Sequence, residues 1–170
     1  MSRLDVLFVI PMNVLDIRGG VPDAIEPPAK ARFMLAYGER RKWSMDLFDA
    51  NVLDWTPQRM AEEVCAAHPR LVVLPVYGYN PSASTQTMPS AREFAEAIKA
   101  MSPEIPIILT GTHPSAIPAY TLETEPAVDF VCGGEGPITV EDLLAATKAG
   151  GRPVDIHKVR SLWYRDNSGI

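Results

Sequence analysis

Two short segments of this 170-residue chain combine residue types suited to holding a ligand. In Gly133-Gly134-Glu135-Gly136-Pro137, three glycines stand directly before a helix that proline can initiate. Such a loop lets backbone approach a bound group closely and aims N–H donors and the positive end of a helix dipole at it. The same residues also make a tight turn in which Glu135 complements the dipole. In Gly111-Thr112-His113-Pro114-Ser115, an imidazole and two hydroxyls directly follow an apolar run. His113 there is either a ligand contact or a partly buried turn residue. His68, beside Pro69, reads as the end of a helix, and His157 as a surface residue of the tail.

Other chemistries lack their signatures. A dinucleotide fingerprint would follow the first strand, where Pro11-Met12-Asn13-Val14-Leu15 stands instead. A phospho-receiver needs an acid at the end of the third strand, where the chain has Pro75-Val76-Tyr77. The Ser/Thr-Gly phosphate loop of a flavodoxin, the G-x-S-x-G elbow and the G-x-x-x-x-G-K-[ST] loop are also missing. With 16 Lys+Arg against 21 Asp+Glu, a net charge of -5 and no basic run, nucleic acid is disfavoured as a partner. Cys65 and Cys132 form no C-x-x-C pair, and no apolar stretch approaches the length of a signal or a membrane span, which implies a cytoplasmic protein away from the membrane.

The elements that would position these segments follow from pattern. Apolar runs at Val6 to Ile10, Met45 to Phe48, Leu71 to Val76, Ile105 to Leu109 and Val128 to Cys132 are continuous and largely β-branched. They read as strands of a parallel sheet covered on both faces, an α/β three-layer sandwich. Thr56-Pro57 caps one helix and Pro137 opens another, while Ser90 with Glu93 makes a capping box for a third. A weaker helix runs from about Ala29 to Arg40, and a shorter one follows Pro114. The segments from Pro11 to Pro28, Tyr77 to Met88, Gly111 to Ser115 and Gly133 to Gly136 then lie beyond the strand ends, where open α/β sheets bind ligands. Lys158 to Tyr164 followed by Asp166-Asn167-Ser168-Gly169 reads as half of a hairpin. The expected organisation is one α/β domain over residues 1–152 and, over 153–170, the start of a β-hairpin linker towards a further domain.

Taken in order, Pro27-Pro28, Asp49, Gly111-Thr112-His113-Pro114-Ser115 with Pro118, and Val128-Asp129-Phe130-Val131-Cys132-Gly133-Gly134-Glu135-Gly136 resemble the N-terminal cobalamin-binding domain of cobalamin-dependent radical S-adenosylmethionine enzymes. The resemblance implies a flavodoxin-like, Rossmann-like sheet of order 2-1-3-4-5 with a corrin over its strand ends. It places Asn13, Val14, Leu15 and Asp16 under the corrin, with Tyr77, Ser82, Ser84 and Thr85 near its edge or tail. Gly111, Thr112, His113, Gly133, Gly134, Glu135 and Gly136 would line the tail pocket. Methyl-carrying cobalamin proteins have an Asp-x-His-x-x-Gly loop where this chain reads Asp16-Ile17-Arg18-Gly19-Gly20-Val21, so this loop offers no lower histidine ligand. It assigns no catalytic residue and no protein metal ligand to the chain.

No Cys-x-x-x-Cys-x-x-Cys occurs, so the cluster that cleaves S-adenosylmethionine is not on this chain, and the chain alone is expected to be inactive. The leading expectation is a cobalamin-binding module, methyltransferase in type, whose parent enzyme also needs S-adenosylmethionine and a [4Fe-4S] cluster. One rival is a degenerate domain that binds no cofactor and serves for docking. The other is a stand-alone enzyme with His113 and Glu135 as acid and base.

Overall fold

The inner strands of the sheet are continuous apolar runs because they are buried on both faces. In the computed structural model, which describes residues 3–12, 27–78, 81–147, 155–167 and 169–170, the chain runs β1 (Val6–Ile10), α1 (Ala29–Glu39), β2 (Met45–Asp49), α2 (Ala50–Leu53), α3 (Pro57–Ala67), β3 (Val72–Pro75), α4 (Pro81–Met101) and β4 (Ile107–Thr110). It continues through α5 (Thr112–Ala116), α6 (Pro118–Thr124), β5 (Phe130–Cys132), α7 (Pro137–Ala146), a 3-10 turn (Ile156–Lys158) and β6 (Leu162–Tyr164). The sheet order is β2-β1-β3-β4-β5-β6. The first five strands are parallel, in the order 2-1-3-4-5, and β6 adds an antiparallel edge on β5.

Alternate residues of each strand feed opposite cores. Leu7, Val9, Val72, Leu74, Ile107, Leu109 and Val131 pack with Met60, Ala61 and Val64 of α3 and Ala91, Phe94, Ala95 and Ile98 of α4. Val6, Phe8, Val73, Ile108 and Phe130 pack on the other side with Ala31 and Met34 of α1 and Val140, Leu143 and Leu144 of α7. Both helix layers are therefore required, as the continuous apolar runs imply.

Three expectations are corrected. The segment from Tyr77 to Met88 is not a long loop, because α4 already begins at Pro81 and continues through Pro89 to Met101. The capping box at Ser90 does not form: Ser90 lies inside α4, 2% exposed, and its hydroxyl has no partner among the described residues. The cause is a single buried stripe, Ser84, Met88, Ala91, Ala95 and Ile98, whose helical spacing extends past the proline. The Ser84 and Thr87 hydroxyls bond to backbone, Thr87 donating to the Ala83 carbonyl at 3.0 Å, so the Ser/Thr-rich stretch tolerates helix. Likewise, Thr112 to Ser115 form the short α5 rather than a loop. The five parallel strands stand in the expected order, and among the described residues the tail strand read from Lys158 to Tyr164 joins them as a sixth, antiparallel to β5.

The sixth strand is held by side chains as well as by the ladder. The guanidinium of Arg165 donates to the carbonyls of Leu122 (2.7 Å), Val128 (2.8 Å) and Glu125 (2.9 Å), at and beyond the end of α6. Arg160 forms a two-pronged pair with Asp142 of α7, at 2.7 and 2.9 Å. Asp166 and Gly169 then close a tight antiparallel bridge. Thr56 caps α3 as read from sequence, accepting from the Arg59 N–H at 3.2 Å, and His68 ends it in the left-handed region. Replacing Arg165 with Ala leaves three carbonyls without their charged donor, so we expect about 1–3 kcal/mol of lost stability in chemical denaturation. Cleavage by protease should then concentrate after residue 155, and unchanged protection of that tail would contradict the clamp.

Candidate functional site

At the carboxyl ends of β3, β4 and β5 the chain brings together every described residue that the sequence points to. Tyr77 follows β3, Ser84 and Thr85 lie in the first turns of α4, and Gly111, Thr112 and His113 pass from β4 into α5. Gly133, Gly134, Glu135 and Gly136 lead from β5 into α7. Ser82 is in the first turn of α4. Asn13, Val14, Leu15 and Asp16 lie outside the described residues, as does Arg18.

A buried serine sets the geometry of this rim. Ser84, 0% exposed, donates through Oγ to the Val76 carbonyl (2.5 Å) and accepts from the His113 N–H (3.0 Å). One hydroxyl thus joins the end of β3, the start of α4 and the start of α5. Two glycines permit this approach. A Cβ on Gly111, whose φ is +138°, would lie 1.9 Å from the Val76 oxygen, and one on Gly78 would lie 2.3 Å from Ala83 Cβ. Thr85 Oγ1 contacts His113 Nδ1 at 2.8 Å, which fixes the plane of the half-buried imidazole.

The opposite wall is built by α1 and the β5–α7 loop. Lys30 pairs with Glu135 at 3.1 Å, and its ammonium lies 5.7 Å from the centre of the Tyr77 ring. Burial, followed by the nearby Glu135 carboxylate, pushes the Tyr77 phenol up from 10.0 to about 12. Glu135 is therefore an ion-pair partner here rather than a dipole cap. Gly136, with φ +100°, faces the Met34 tip: a Cβ would lie 3.0 Å from its methyl and 3.5 Å from Thr110 Cγ2.

Gly133 and Gly134 serve a different neighbour. Gly133 donates its N–H to the Ser161 carbonyl at 2.7 Å, and a Cβ there would lie 3.2 Å from the Trp163 indole nitrogen. Gly134 donates to Cys132 Sγ at 3.4 Å and its Cβ position looks onto Ser161. The close approach at this half of the loop is made by the C-terminal strand. Sequence reasoning missed Gly78, Lys30 and Met34, and, though it read a strand at Lys158 to Tyr164, it missed that this strand packs on the glycine loop; only the glycine carries any local signal, since the others act through contacts distant in sequence.

Beside the rim, at the β2 corner, a hollow of about 710 Å³ is lined by Pro27, Pro28, Leu47, Asp49, Val52 and Leu53 among others. Asp49 itself caps α2, accepting from the Asn51 N–H at 3.0 Å. Among the described residues no group of three or more His, Cys, Asp or Glu could hold a metal ion, and no helix is long and apolar enough to cross a membrane.

A protein-family model for the B12 binding domain matches residues 16–144. The chain belongs to the B12-binding domain family. Cobalamin is the cofactor of that family, and the rim offers such a guest the exposed backbone of Gly133 and Gly134, the exposed hydroxyls of Thr85 and Thr112 and the half-buried imidazole of His113, while Gly111 and Gly136 are buried against Val76 and Met34. The chain is 30% identical over 124 residues to an anaerobic magnesium-protoporphyrin IX monomethyl ester cyclase of Synechocystis, covering 73% of this chain and 23% of that protein. It is 24% identical over its full length to an uncharacterized methyltransferase of Pyrococcus horikoshii, of which it covers 34%. In fold it matches the radical S-adenosylmethionine methyltransferase TsrM of Kitasatospora setae, in a structure with cobalamin and a [4Fe-4S] cluster bound, with a TM-score of 0.73 at 20% identity over 99% of this chain and 28% of that one. The cobalamin-dependent radical enzyme OxsB gives a TM-score of 0.63 at 17% identity, over 99% and 22% of the two chains. The chain thus spans between about a fifth and a third of the length of these relatives.

Two outcomes test the rim's construction. Ser84→Ala removes a buried donor and acceptor together and should cost about 1–3 kcal/mol in chemical denaturation; a wild-type midpoint would contradict the staple. For Tyr77 the folded value lies above the unfolded one, so its contribution to stability is complete below about pH 10 and lost as pH rises from there towards 12. The wild-type unfolding free energy should therefore fall more steeply than that of Tyr77→Phe between about pH 10 and pH 12, whereas parallel curves would contradict the burial of the phenol.

Proposed function

We propose that this chain is the cobalamin-holding module of a radical S-adenosylmethionine enzyme, methyltransferase in type, and that it works in the cytoplasm beside a radical domain that carries the [4Fe-4S] cluster and S-adenosylmethionine. The observation that carries the reading is the convergence of Tyr77, Thr85, Gly111 to His113 and Gly136 at one end of the sheet, in a chain of the B12-binding family. The relatives add support, since they include a structure holding both cobalamin and the cluster.

In this reading Asn13 to Asp16 lie under the corrin, while Tyr77, Ser82 and Thr85 lie near its edge or tail, with the buried Ser84 behind them. Gly111 to His113 and Gly133 to Gly136 surround its nucleotide tail. Bound there, cobalamin supplies a cobalt centre able to carry a one-carbon group. The chain's own contribution is placement: Ser84 spaces the β3 and β4 loops, Gly78 and Gly111 permit that close approach, and Thr85 orients the His113 ring.

Mixing the chain with hydroxocobalamin and following the visible spectrum through gel filtration tests this directly. The colour should elute with the protein. Thr85 is exposed on α4, so Thr85→Trp should keep the wild-type melting curve yet lose the colour by filling the rim. Full retention by that variant would move the site elsewhere, and no retention by the wild type would overturn the reading.

A further inference from the structure

The hollow at the β2 corner carries charged groups that the fold leaves unused. Its wall holds Arg32 and Glu39 of α1 and Asp49 at the end of β2, set against Leu35 and Leu47. Asp49 is 7% exposed, and its capping contacts use one oxygen: Oδ1 accepts from the Asn51 N–H (3.0 Å) and from Asn51 Nδ2 (2.9 Å). Oδ2 accepts no hydrogen bond among the described residues, so one oxygen of a nearly buried carboxylate stands open at the hollow. Such an acceptor costs free energy that a guest hydroxyl would recover. The Arg32 and Glu39 side chains likewise form no ion pair among the described residues. Val52 and Leu53 of α2 complete an apolar side, 66% and 39% exposed. Topology sets the polar groups in order. β1 and β2 are parallel, so α1 between them runs the opposite way. Arg32, near its start, lies towards the Asp49 end of β2, and Glu39 lies two turns on, about 10 Å further along the helix.

We propose that this hollow is a second ligand site, separate from the strand-end rim, and that it takes a purine ribonucleotide, with guanosine 5′-monophosphate the best fit. The phosphate pairs with Arg32, a ribose hydroxyl donates to Asp49 Oδ2, the base lies between the apolar walls, and its far edge donates to Glu39. A cation, an open carboxylate and a second carboxylate, in that sequence, match the phosphate, sugar and donor edge of a nucleotide. Guanine presents N1–H and N2–H side by side and so fills both Glu39 oxygens, whereas adenine presents one amine beside a ring acceptor and fills one. At about 710 Å³ the hollow has the size of small-molecule sites.

Titration calorimetry of the chain with guanosine 5′-monophosphate tests this, and saturable one-to-one binding is expected. Adenosine 5′-monophosphate should bind at least about tenfold more weakly, since it gives up a hydrogen bond to a carboxylate. The 2′,3′-dideoxy form of the guanine nucleotide should lose at least as much, and it reads Asp49 without disturbing the cap of α2. Arg32→Gln, at an exposed position with no ion pair to lose, should keep the wild-type melting curve and weaken binding to a similar degree. No binding, or any one of these three comparisons matching the wild type with guanosine 5′-monophosphate, overturns the site. Retention of hydroxocobalamin depends on the rim and not on these residues, so the cofactor-holding function stands or falls separately.

Discussion

The buried hydroxyl of Ser84 is the contact on which the arrangement of the rim rests. It ties β3 to α4 and α5 through the Val76 carbonyl and the His113 N–H, in a space that only glycine at 111 and 78 leaves open. This hydrogen-bonded junction sets the spacing between the loops that follow two adjacent strands. A loop pair held this way is a rigid surface, and rigidity is what a large flat cofactor needs from a protein that contributes position more than reactivity.

Across the rim, the α1 and α7 wall meets the site through the solvated Lys30–Glu135 pair, with Ala31 and Met34 buried in the second core behind it and the Tyr37, Arg41 and Glu141 contacts further along. The C-terminal strand adds a third constraint. Through Ser161 and Trp163 it occupies the space beside Gly133 and Gly134, so half of the glycine loop is shaped by the chain's own tail.

Much of the fold was legible from the sequence because its signals are local. Continuous β-branched runs separated by capped helices specify a doubly covered parallel sheet, and Thr56-Pro57 and Pro137 mark helix starts whatever surrounds them. The failures share a cause. Ser90-x-x-Glu93 is a valid capping pattern, but the tertiary core extends the apolar stripe back to Ser84 and overrides it. The sixth strand depends on Arg165 finding three carbonyls around the end of α6, a partnership that no window of sequence displays. In the site, glycines and His113 are visible because loops advertise them, whereas Lys30 and Met34 matter only once α1 is docked.

The central claim is that the strand-end rim from Tyr77 to Gly136 is the surface that receives the cofactor. Hydrogen exchange of the chain with and without hydroxocobalamin tests it most directly. Slower exchange confined to residues 13–16, 77–85, 111–116 and 133–140, with the α3 surface unaltered, is the expected footprint. Protection centred on another edge of the sheet, with the rim exchanging as in the unliganded chain, would contradict the account.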